Sequence, residues 1–172
     1  MLQGSQQEDL METVEILREE LGRLNQITSD YLKIARPMKI NLIDYDVNKL
    51  IRDLVHSRGK DLEQKQIRVE LDLDEHVSKV LVDPKNVFQA ILNLLKNSME
   101  AVEKNGVISI RSTIRDEYWL LEIVDNGQGI PSENMNKIFE PYFTTKRFGS
   151  GLGLMNVYNI VKAHDGEIRV DS

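Results

Sequence analysis

Residues 118–130 read Y-W-L-L-E-I-V-D-N-G-Q-G-I, an alternating strand that leads into a glycine-containing turn. Side chains alternate across a strand, so Trp119, Leu121 and Ile123 share one face, and Asp125 has the same parity. A carboxylate at the end of an inward-facing row is costly unless a hydrogen-bond donor reaches it. The stretch therefore predicts one strand of a half-buried sheet that ends at an acidic side chain with a special partner.

Two partners for Asp125 remain open from these residues alone. The carboxylate could accept from its own loop, because Gly127 and Gly129 follow directly and permit a tight turn with close backbone approach. It could instead accept from the exocyclic amine of a base.

The patterns on both sides of this stretch predict an α+β fold. Strands are predicted at residues 67–73, 79–82, 107–114, 118–124 and 167–171, and helices at 46–65, 83–103 and 152–164. Asp46 and Asp83 are the predicted N-caps of the first two helices, and residues 38–44 are a predicted linker. This order predicts a two-layer sandwich, in which a mixed, mostly antiparallel sheet carries helices on one face. We expect the last strand, which would pair with residues 167–171, to be missing from the chain.

The N-terminal part carries a heptad pattern over residues 8–35, which Pro37 ends. One amphipathic helix of this length cannot bury its apolar stripe alone. The pattern predicts a dimer or bundle helix, with a helix folded back on its own domain as the alternative. The predicted domains are residues 1–37, a long helix, and residues 38–172, the α+β domain.

Composition narrows the function classes. The net charge of −6 and the pI of about 5.2 argue against a general nucleic-acid or anionic-membrane surface. The chain has no cysteine, which excludes disulfides and thiolate metal sites. No run of 18 apolar residues and no signal peptide occurs, so we expect a cytoplasmic chain whose longer parent is either membrane-anchored or soluble.

The helix predicted at residues 83–103 places Asn93 and Asn97 one turn apart on its less apolar face. Asparagine is a poor helix former, so lysine or glutamate would cost less on a solvated face. Its neutral carbonyl oxygen is a hard ligand that suits Mg²⁺ when triphosphate oxygens and water complete the coordination. A merely solvated polar face is the alternative.

A second glycine-rich stretch, G-S-G-L-G-L at residues 149–154, lies near the C-terminus. It matches neither the dinucleotide fingerprint nor the P-loop, since its glycines fall at every second position and no G-K-[ST] follows. By itself it is a weak signal.

Four motifs together carry a resemblance. Asn93 with Asn97, D-N-G-Q-G-I at 125–130, F-E-P-Y-F-T-T-K at 139–146 and G-S-G-L-G-L at 149–154 resemble the N, G1, F and G2 boxes of the sensor histidine kinases in order and spacing. Over residues 41–172 the chain resembles the catalytic ATP-binding domain of that family. The resemblance implies the Bergerat-type ATP-binding fold and a protein histidine kinase of a two-component signal-transduction system that uses Mg-ATP.

The resemblance also implies roles for single residues. Asn97 resembles the Mg²⁺ ligand, Asn93 faces the phosphates, and Asp125 accepts from the adenine amine. Phe139, Phe143 and the loop to Gly149 resemble the ATP lid, on which Lys146 and Arg147 lie within reach of the phosphates. The implied catalytic residues are Asn93, Asn97 and Lys146. The implied nucleotide-binding set is Asn93, Asn97, Asp125, Gly127, Gly129, Ile130, Phe139, Phe143, Lys146, Gly149, Ser150, Gly151, Leu152, Gly153 and Leu154.

Asn93 separates the chain from the gyrase, mismatch-repair and chaperone ATPases of the same fold, which carry a glutamate there that activates water. An amide cannot take a proton from water, so phosphoryl transfer to a protein is favoured over hydrolysis. Glu100 stands where many family members carry a basic residue. The alternatives are an ATP-dependent conformational switch, an anti-sigma-type serine kinase of the same fold, and a non-catalytic dimerisation or interaction module.

None of the three histidines, His56, His76 and His164, lies in an H-E-x-x-N-P-like phosphoacceptor box. For His164, at a helix end, we expect a packing role or a cation at the helix C-terminus. The heptad helix resembles the second helix of the family's dimeric bundle. We therefore expect a phosphoacceptor outside this chain and no self-labelling of the fragment. The expected partners are the histidine-bearing dimerisation domain of the parent kinase and a response regulator, and we expect the parent kinase to be a homodimer.

Overall fold

The computed structural model describes residues 39–77, 79–146 and 149–172, together with Val14 and Leu21. The chain divides into two compact units, Met1–Met38 and Lys39–Ser172. In the first unit Val14 and Leu21 are helical and their side chains are exposed. The rest of the helix predicted over residues 8–35 lies outside the described residues.

The second unit holds five strands and four helices among its described residues. They are β1 (Ile43–Tyr45), α1 (Val47–Ser57), α2 (Gly59–Gln64), β2 (Arg68–Leu73), β3 (Val80–Val82), α3 (Pro84–Ala101), β4 (Val107–Arg115), β5 (Tyr118–Asp125) and α4 (Gly153–Ala163). None of the helices in this described part is long and apolar enough to cross a membrane.

Both predicted helix N-caps are confirmed. The Asp46 carboxylate accepts from the backbone N–H of Lys49 at 2.8 Å and opens α1. The Asp83 carboxylate accepts from the N–H groups of Lys85 and Asn86 at 3.1 Å and opens α3. Because each carboxylate satisfies backbone donors that have no partner inside the helix, these residues fix where the two helices begin.

The main sheet is mixed, with strand order β2-β4-β5. β2 runs parallel to β4, whereas β4 and β5 form an antiparallel hairpin. The hairpin turns at Asp116 and Glu117, whose φ values of 50° and 66° match the left-handed pair of a type I′ turn. β1 and β3 form a separate antiparallel pair. Of the three strand pairings in the described part of the chain, two are thus antiparallel, as the sequence predicts.

The core lies between the helices and one face of the sheet. α3 packs against α1, α4 and β5. Along β5 the residues Trp119, Leu121, Ile123 and Asp125 are half-buried and those between them are exposed, which confirms the predicted alternation. The buried apolar side chains that join α1, α3 and β4 are Val47, Leu50, Ile51, Leu54, Val87, Ile91, Leu95, Met99, Ile108 and Ile110.

Three local predictions are wrong. The predicted helix at 46–65 is two helices, α1 and α2, which are separated at Arg58 just before Gly59. The predicted linker at 38–44 contains the start of β1, which pairs with the distant β3. Residues 167–171 form no strand within the described part of the chain. Their burial alternates, with Ile168 and Val170 half-buried, but a strand also needs a hydrogen-bonded partner strand.

The Asp83 carboxylate also binds a segment outside the helix that it caps. Its Oδ2 accepts from the backbone N–H of Asn41 at 2.9 Å, which ties the segment before β1 to the start of α3. Burial raises the pKa of the Asp83 carboxyl, but the N–H groups of Asn41, Asn86 and Lys85 outweigh burial, so this pKa lies below its usual value. The ionised carboxylate is therefore the form that the folded protein favours.

Candidate functional site

The loop after β5 is fixed by its aspartate. The Asp125 Oδ1 accepts from the backbone N–H of Gly127 at 3.0 Å, as expected for a carboxylate that caps its own turn. The other oxygen, Oδ2, accepts no hydrogen bond from any described residue. The two explanations that the sequence left open are therefore compatible, because one oxygen orders the loop while the second remains available for a ligand amine.

The same loop is held against the C-terminal end of α3. The Gln128 N–H donates to the carbonyl oxygen of Ala101 at 3.3 Å. A Cβ on Gly127 would lie 2.7 Å from that carbonyl group, so only glycine permits this approach. Further along, the Ile130 N–H donates to the Ser172 Oγ. The loop is thus anchored at both ends.

Asn93 joins α3 to the start of α4. Its Nδ2 donates to the carbonyl oxygen of Gly153 at 3.2 Å, and its Oδ1 accepts from the Gln89 Nε2 at 3.0 Å. Amide oxygen and nitrogen are thereby both engaged, which fixes the orientation of this side chain. The structure brings together two predicted site residues, Asn93 and Gly153, that are 60 positions apart.

Asn97 faces the lid lysine. The Lys146 Nζ lies 3.4 Å from the Asn97 Oδ1 and 2.5 Å from the Glu100 Oε2. The other Glu100 oxygen, Oε1, lies 4.0 Å from the Lys96 Nζ. Sequence reasoning did not find Glu100 as the partner of Lys146, although it had noted an acidic residue one turn after Asn97.

Two close contacts define the path of the lid, an aromatic contact at its start and a close backbone approach near its end. The Phe139 and Tyr158 rings have centroids 5.6 Å apart at 42°, so the first part of the lid rests on α4. Gly151 has a φ of +67°, and a Cβ there would collide with the backbone of Tyr142. By contrast, a Cβ on Gly153 would meet no atom within 4 Å.

The other predicted lid residues lie along the same path. Phe143 and Leu154 are half-buried, and Leu152 is buried directly before α4. The Ser150 Oγ accepts from the Leu152 N–H at 3.4 Å. No described side chain caps the first turn of α4, so its N–H groups are available to an anionic ligand. Arg147 lies outside the described residues.

A polar cavity of about 480 Å³ borders the same helix end but does not include Asn97 or Asp125. Its lining consists of residues 100–106 and 126–128. The candidate site is therefore defined by the convergence of α3, the lid and the loop after β5, and the cavity lies beside it.

The side chains around Asn97 suit a divalent cation. The Lys146 ammonium already occupies a cation position between the Asn97 and Glu100 oxygens, and both are hard ligands of the kind that Mg²⁺ prefers. Within the described residues, no cluster of three His, Cys, Asp or Glu side chains could hold a metal. A metal at Asn97 would thus take most of its ligands from phosphate oxygens and water.

Comparison with known proteins agrees with this geometry. The chain belongs to the family of histidine kinase-, DNA gyrase B- and HSP90-like ATPases, whose family model matches residues 82–172. The sensor histidine kinase ZraS of Escherichia coli (strain K12) is 33% identical over 158 residues, which are 92% of this chain and 34% of the relative. Sporulation kinase E of Bacillus subtilis (strain 168) is 30% identical over 173 residues, covering 100% of this chain and 23% of the relative.

Solved structures show the same fold. The catalytic domain of histidine kinase ThkA is 30% identical, with a TM-score of 0.67 over 72% of this chain and 82% of that domain. The same kinase in complex with the response regulator protein TrrA is 28% identical, with a TM-score of 0.67 over 76% of this chain and 39% of that one. The fold is therefore that of a histidine-kinase catalytic domain, and the chain spans about a third or less of the curated relatives named above.

Proposed function

We propose that the chain is the ATP-binding, phosphoryl-donating module of a two-component sensor histidine kinase. The observation that carries this proposal is the position of Asn97 and Asp125 at one helix end. The Asn97 Oδ1 faces the Lys146 ammonium at 3.4 Å, and the loop of Asp125 is bonded to Ala101, one turn beyond Asn97. One end of this site suits a base and the other suits phosphate.

At the base end, Asp125 is the proposed adenine reader. Its Oδ2 would accept from the exocyclic amine, while Oδ1 keeps the loop in place through Gly127. Gly127 and Gly129 let the backbone approach the ring. Guanine would present a carbonyl oxygen to the carboxylate, so we expect strong discrimination against it.

At the phosphate end, Asn97 is the proposed Mg²⁺ ligand, and Lys146 and the first N–H groups of α4 are the proposed phosphate contacts. When bound, the metal would neutralise charge on the phosphate oxygens. Gly149, Gly151 and Gly153 would let the lid move as the nucleotide enters. The lid, which Phe139 anchors on α4, would then exclude water from the terminal phosphate.

Asn93 favours transfer to a protein over hydrolysis. Both polar atoms of its side chain are engaged, with Gln89 and Gly153, and an amide cannot deprotonate water. The proposed acceptor is a histidine on the dimerisation domain of the parent kinase, and residues 1–37 are the proposed second helix of that domain. The proposal also includes a homodimeric parent, cytoplasmic placement of this chain and a response regulator that accepts the phosphoryl group later. ThkA, a related kinase, forms a complex with a response regulator.

Calorimetric titration with Mg-ATP tests the site. The wild-type chain should bind, Asn97→Ala and Asp125→Ala should bind at least about ten-fold more weakly, and Gln64→Ala, a control on the exposed surface of α2, should bind like wild type. Equal affinities in all four proteins would refute the site assignment.

Phosphotransfer needs a separate measurement. The chain should not become labelled from γ-labelled ATP by itself. It should label a separately supplied histidine-bearing helical bundle with an acid-labile phosphate, and Asn97→Ala should abolish that transfer. Binding without any transfer to such bundles would favour a conformational switch over a kinase.

A further inference from the structure

We propose that Glu100 is a positioning residue that holds Lys146 over Asn97 while no nucleotide is bound, and that Lys146 and a divalent cation occupy this place in turn. The group formed by Asn97, Glu100 and Lys146 is called the lysine clamp below. The clamp itself stands on the geometry of the free protein; its release by the metal-nucleotide complex rests on the proposed function.

The contacts of the clamp are mainly ionic. The Lys146 ammonium makes its short contact with the Glu100 Oε2, at 2.5 Å, and a longer one with the Asn97 Oδ1, at 3.4 Å. The lysine and glutamate side chains are 41% and 33% exposed, so water weakens but does not abolish their attraction. Glu100 therefore contributes more than Asn97 to placing the lysine.

The backbone around Lys146 favours the same placement. Its N–H donates to the Thr144 Oγ1 at 3.1 Å, and its carbonyl oxygen accepts from the Gly149 N–H at 3.2 Å. These two bonds hold the Lys146 backbone in place. Breaking the ion pair therefore frees the lysine side chain, while its backbone keeps these two bonds.

Lysine and metal exclude one another at Asn97. The Lys146 ammonium lies 3.4 Å from the Asn97 oxygen, so a divalent cation bound to that oxygen would stand close to it, and the two positive charges would repel. A nucleotide complex that brings a metal to Asn97 must therefore move Lys146, and its phosphates offer the lysine new acceptors. The clamp thus couples metal binding to a rearrangement of the lid.

Release of Lys146 does not leave Glu100 without a cation. Lys96, one helical turn before Glu100, has its Nζ 4.0 Å from the Glu100 Oε1. This pair lies within α3 and does not depend on the lid, which lowers the cost of releasing Lys146. Glu100 can therefore exchange partners, while the Asn97 side chain has Lys146 as its one hydrogen-bond partner among the described residues.

Hydrogen exchange of the nucleotide-free protein tests the clamp. The variant is Glu100→Gln, and the matched control is Glu103→Gln, which removes the same charge three residues further on, where the exposed Glu103 forms no ion pair with any described residue. We expect amide exchange in the lid segment 142–151 to be about two- to five-fold faster in Glu100→Gln than in the control, the range set by a partly exposed ion pair. Urea unfolding verifies that both variants are folded.

Two further arms separate an ionic clamp from a general packing effect. Lys146→Gln should speed exchange as much as Glu100→Gln, and the double variant should show no further increase. Raising the ionic strength to about 1 M should bring wild type close to Glu100→Gln, since charges are then screened within about 3 Å. Exchange in Glu100→Gln that equals the control, or additive effects in the double variant, would overturn the clamp.

The nucleotide arm tests the release. With saturating Mg²⁺ and a non-hydrolysable ATP analogue, wild type and Glu100→Gln should show the same lid exchange, because Lys146 has left Glu100. A difference that persists in this complex would overturn the release. If no variant binds the analogue, the proposed function fails, and the comparison of the free proteins still decides whether the clamp exists.

Discussion

The backbone N–H of Asp83 donates to the Nε2 of His164 over 2.9 Å, which joins residues 81 positions apart. The other ring nitrogen, Nδ1, lies 2.7 Å from the carbonyl oxygen of Ile160 and therefore donates to it. Because Nε2 accepts this hydrogen bond, it carries no proton. Through its two ring nitrogens, His164 joins the start of α3 to the end of α4, and this contact is called the junction below. The packing role expected from the sequence is the one observed.

Replacing His164 with alanine should lower the free energy of unfolding by about 1–3 kcal/mol, because the part-buried Asp83 N–H would lose its acceptor. Urea unfolding followed by circular dichroism measures the loss. His56→Ala, which removes an exposed histidine, should change stability by less than about 0.5 kcal/mol. Equal effects of the two substitutions would show that the junction contributes no stability.

Asp83→Ala should destabilise the domain by about 0.5–2 kcal/mol at neutral pH through loss of the N-cap. The folded pKa of Asp83 lies below its usual value: burial raises it, and three backbone N–H groups outweigh burial. Its contribution is therefore fully present above the unfolded pKa of about 4 and is lost as the pH falls through the folded value. Unfolding curves between pH 7 and pH 2 should show wild type and variant converging on acidification. An unchanged gap at low pH would contradict the assignment, and Asp53→Ala, at an exposed aspartate of α1, is the control.

Gly151→Ala should cost about 1–2 kcal/mol of stability in the lid and its attachment to α4, since alanine is disfavoured at a φ of +67° and would collide with the Tyr142 backbone. Gly153→Ala is the matched control two residues on, where a Cβ meets open space. It should leave unfolding within about 0.5 kcal/mol of wild type. Urea unfolding of both variants would reveal the contrast, and a tolerated Gly151→Ala would contradict the described path of the lid.

Asp125→Asn should weaken ATP binding by about 10- to 100-fold while the fold is kept, because an amide oxygen can still accept from the Gly127 N–H. It should also narrow the preference for ATP over GTP, since the charge that repels the guanine carbonyl is gone. Titration with both nucleotides measures this, and Asp116→Asn in the exposed hairpin turn controls for the charge. An unchanged nucleotide preference would remove Asp125 from base recognition.

Local signals account for most of what the sequence predicted correctly. The caps at Asp46 and Asp83 and the alternation along β5 depend on residues that are neighbours in the chain, so their consequences can be read from the sequence. The predicted strand at 167–171 shows the limit of that approach. Its alternating burial is present, but period alone does not supply a partner strand.

The relationships that sequence reasoning missed join distant positions. Lys146 and Glu100 are 46 residues apart, and each alone reads as an exposed charge. β1 was overlooked because three residues carry too little pattern, and its partner β3 begins 35 residues later. Only the assembled fold shows which of many surface charges and short extended segments meet.

Because Gln128 donates a hydrogen bond to Ala101, the last turn of α3 sets the distance between Asn97 and the loop after β5. Asn97 and Ala101 are four residues apart, a rise of about 6 Å along a helix, and the Asp125 loop is attached at the far end of that interval. The helix therefore sets the distance between the two ends of the proposed site. Inserting or deleting one residue between Asn97 and Ala101 would change that distance and would also rotate one of these residues about the helix axis by about 100° relative to the other.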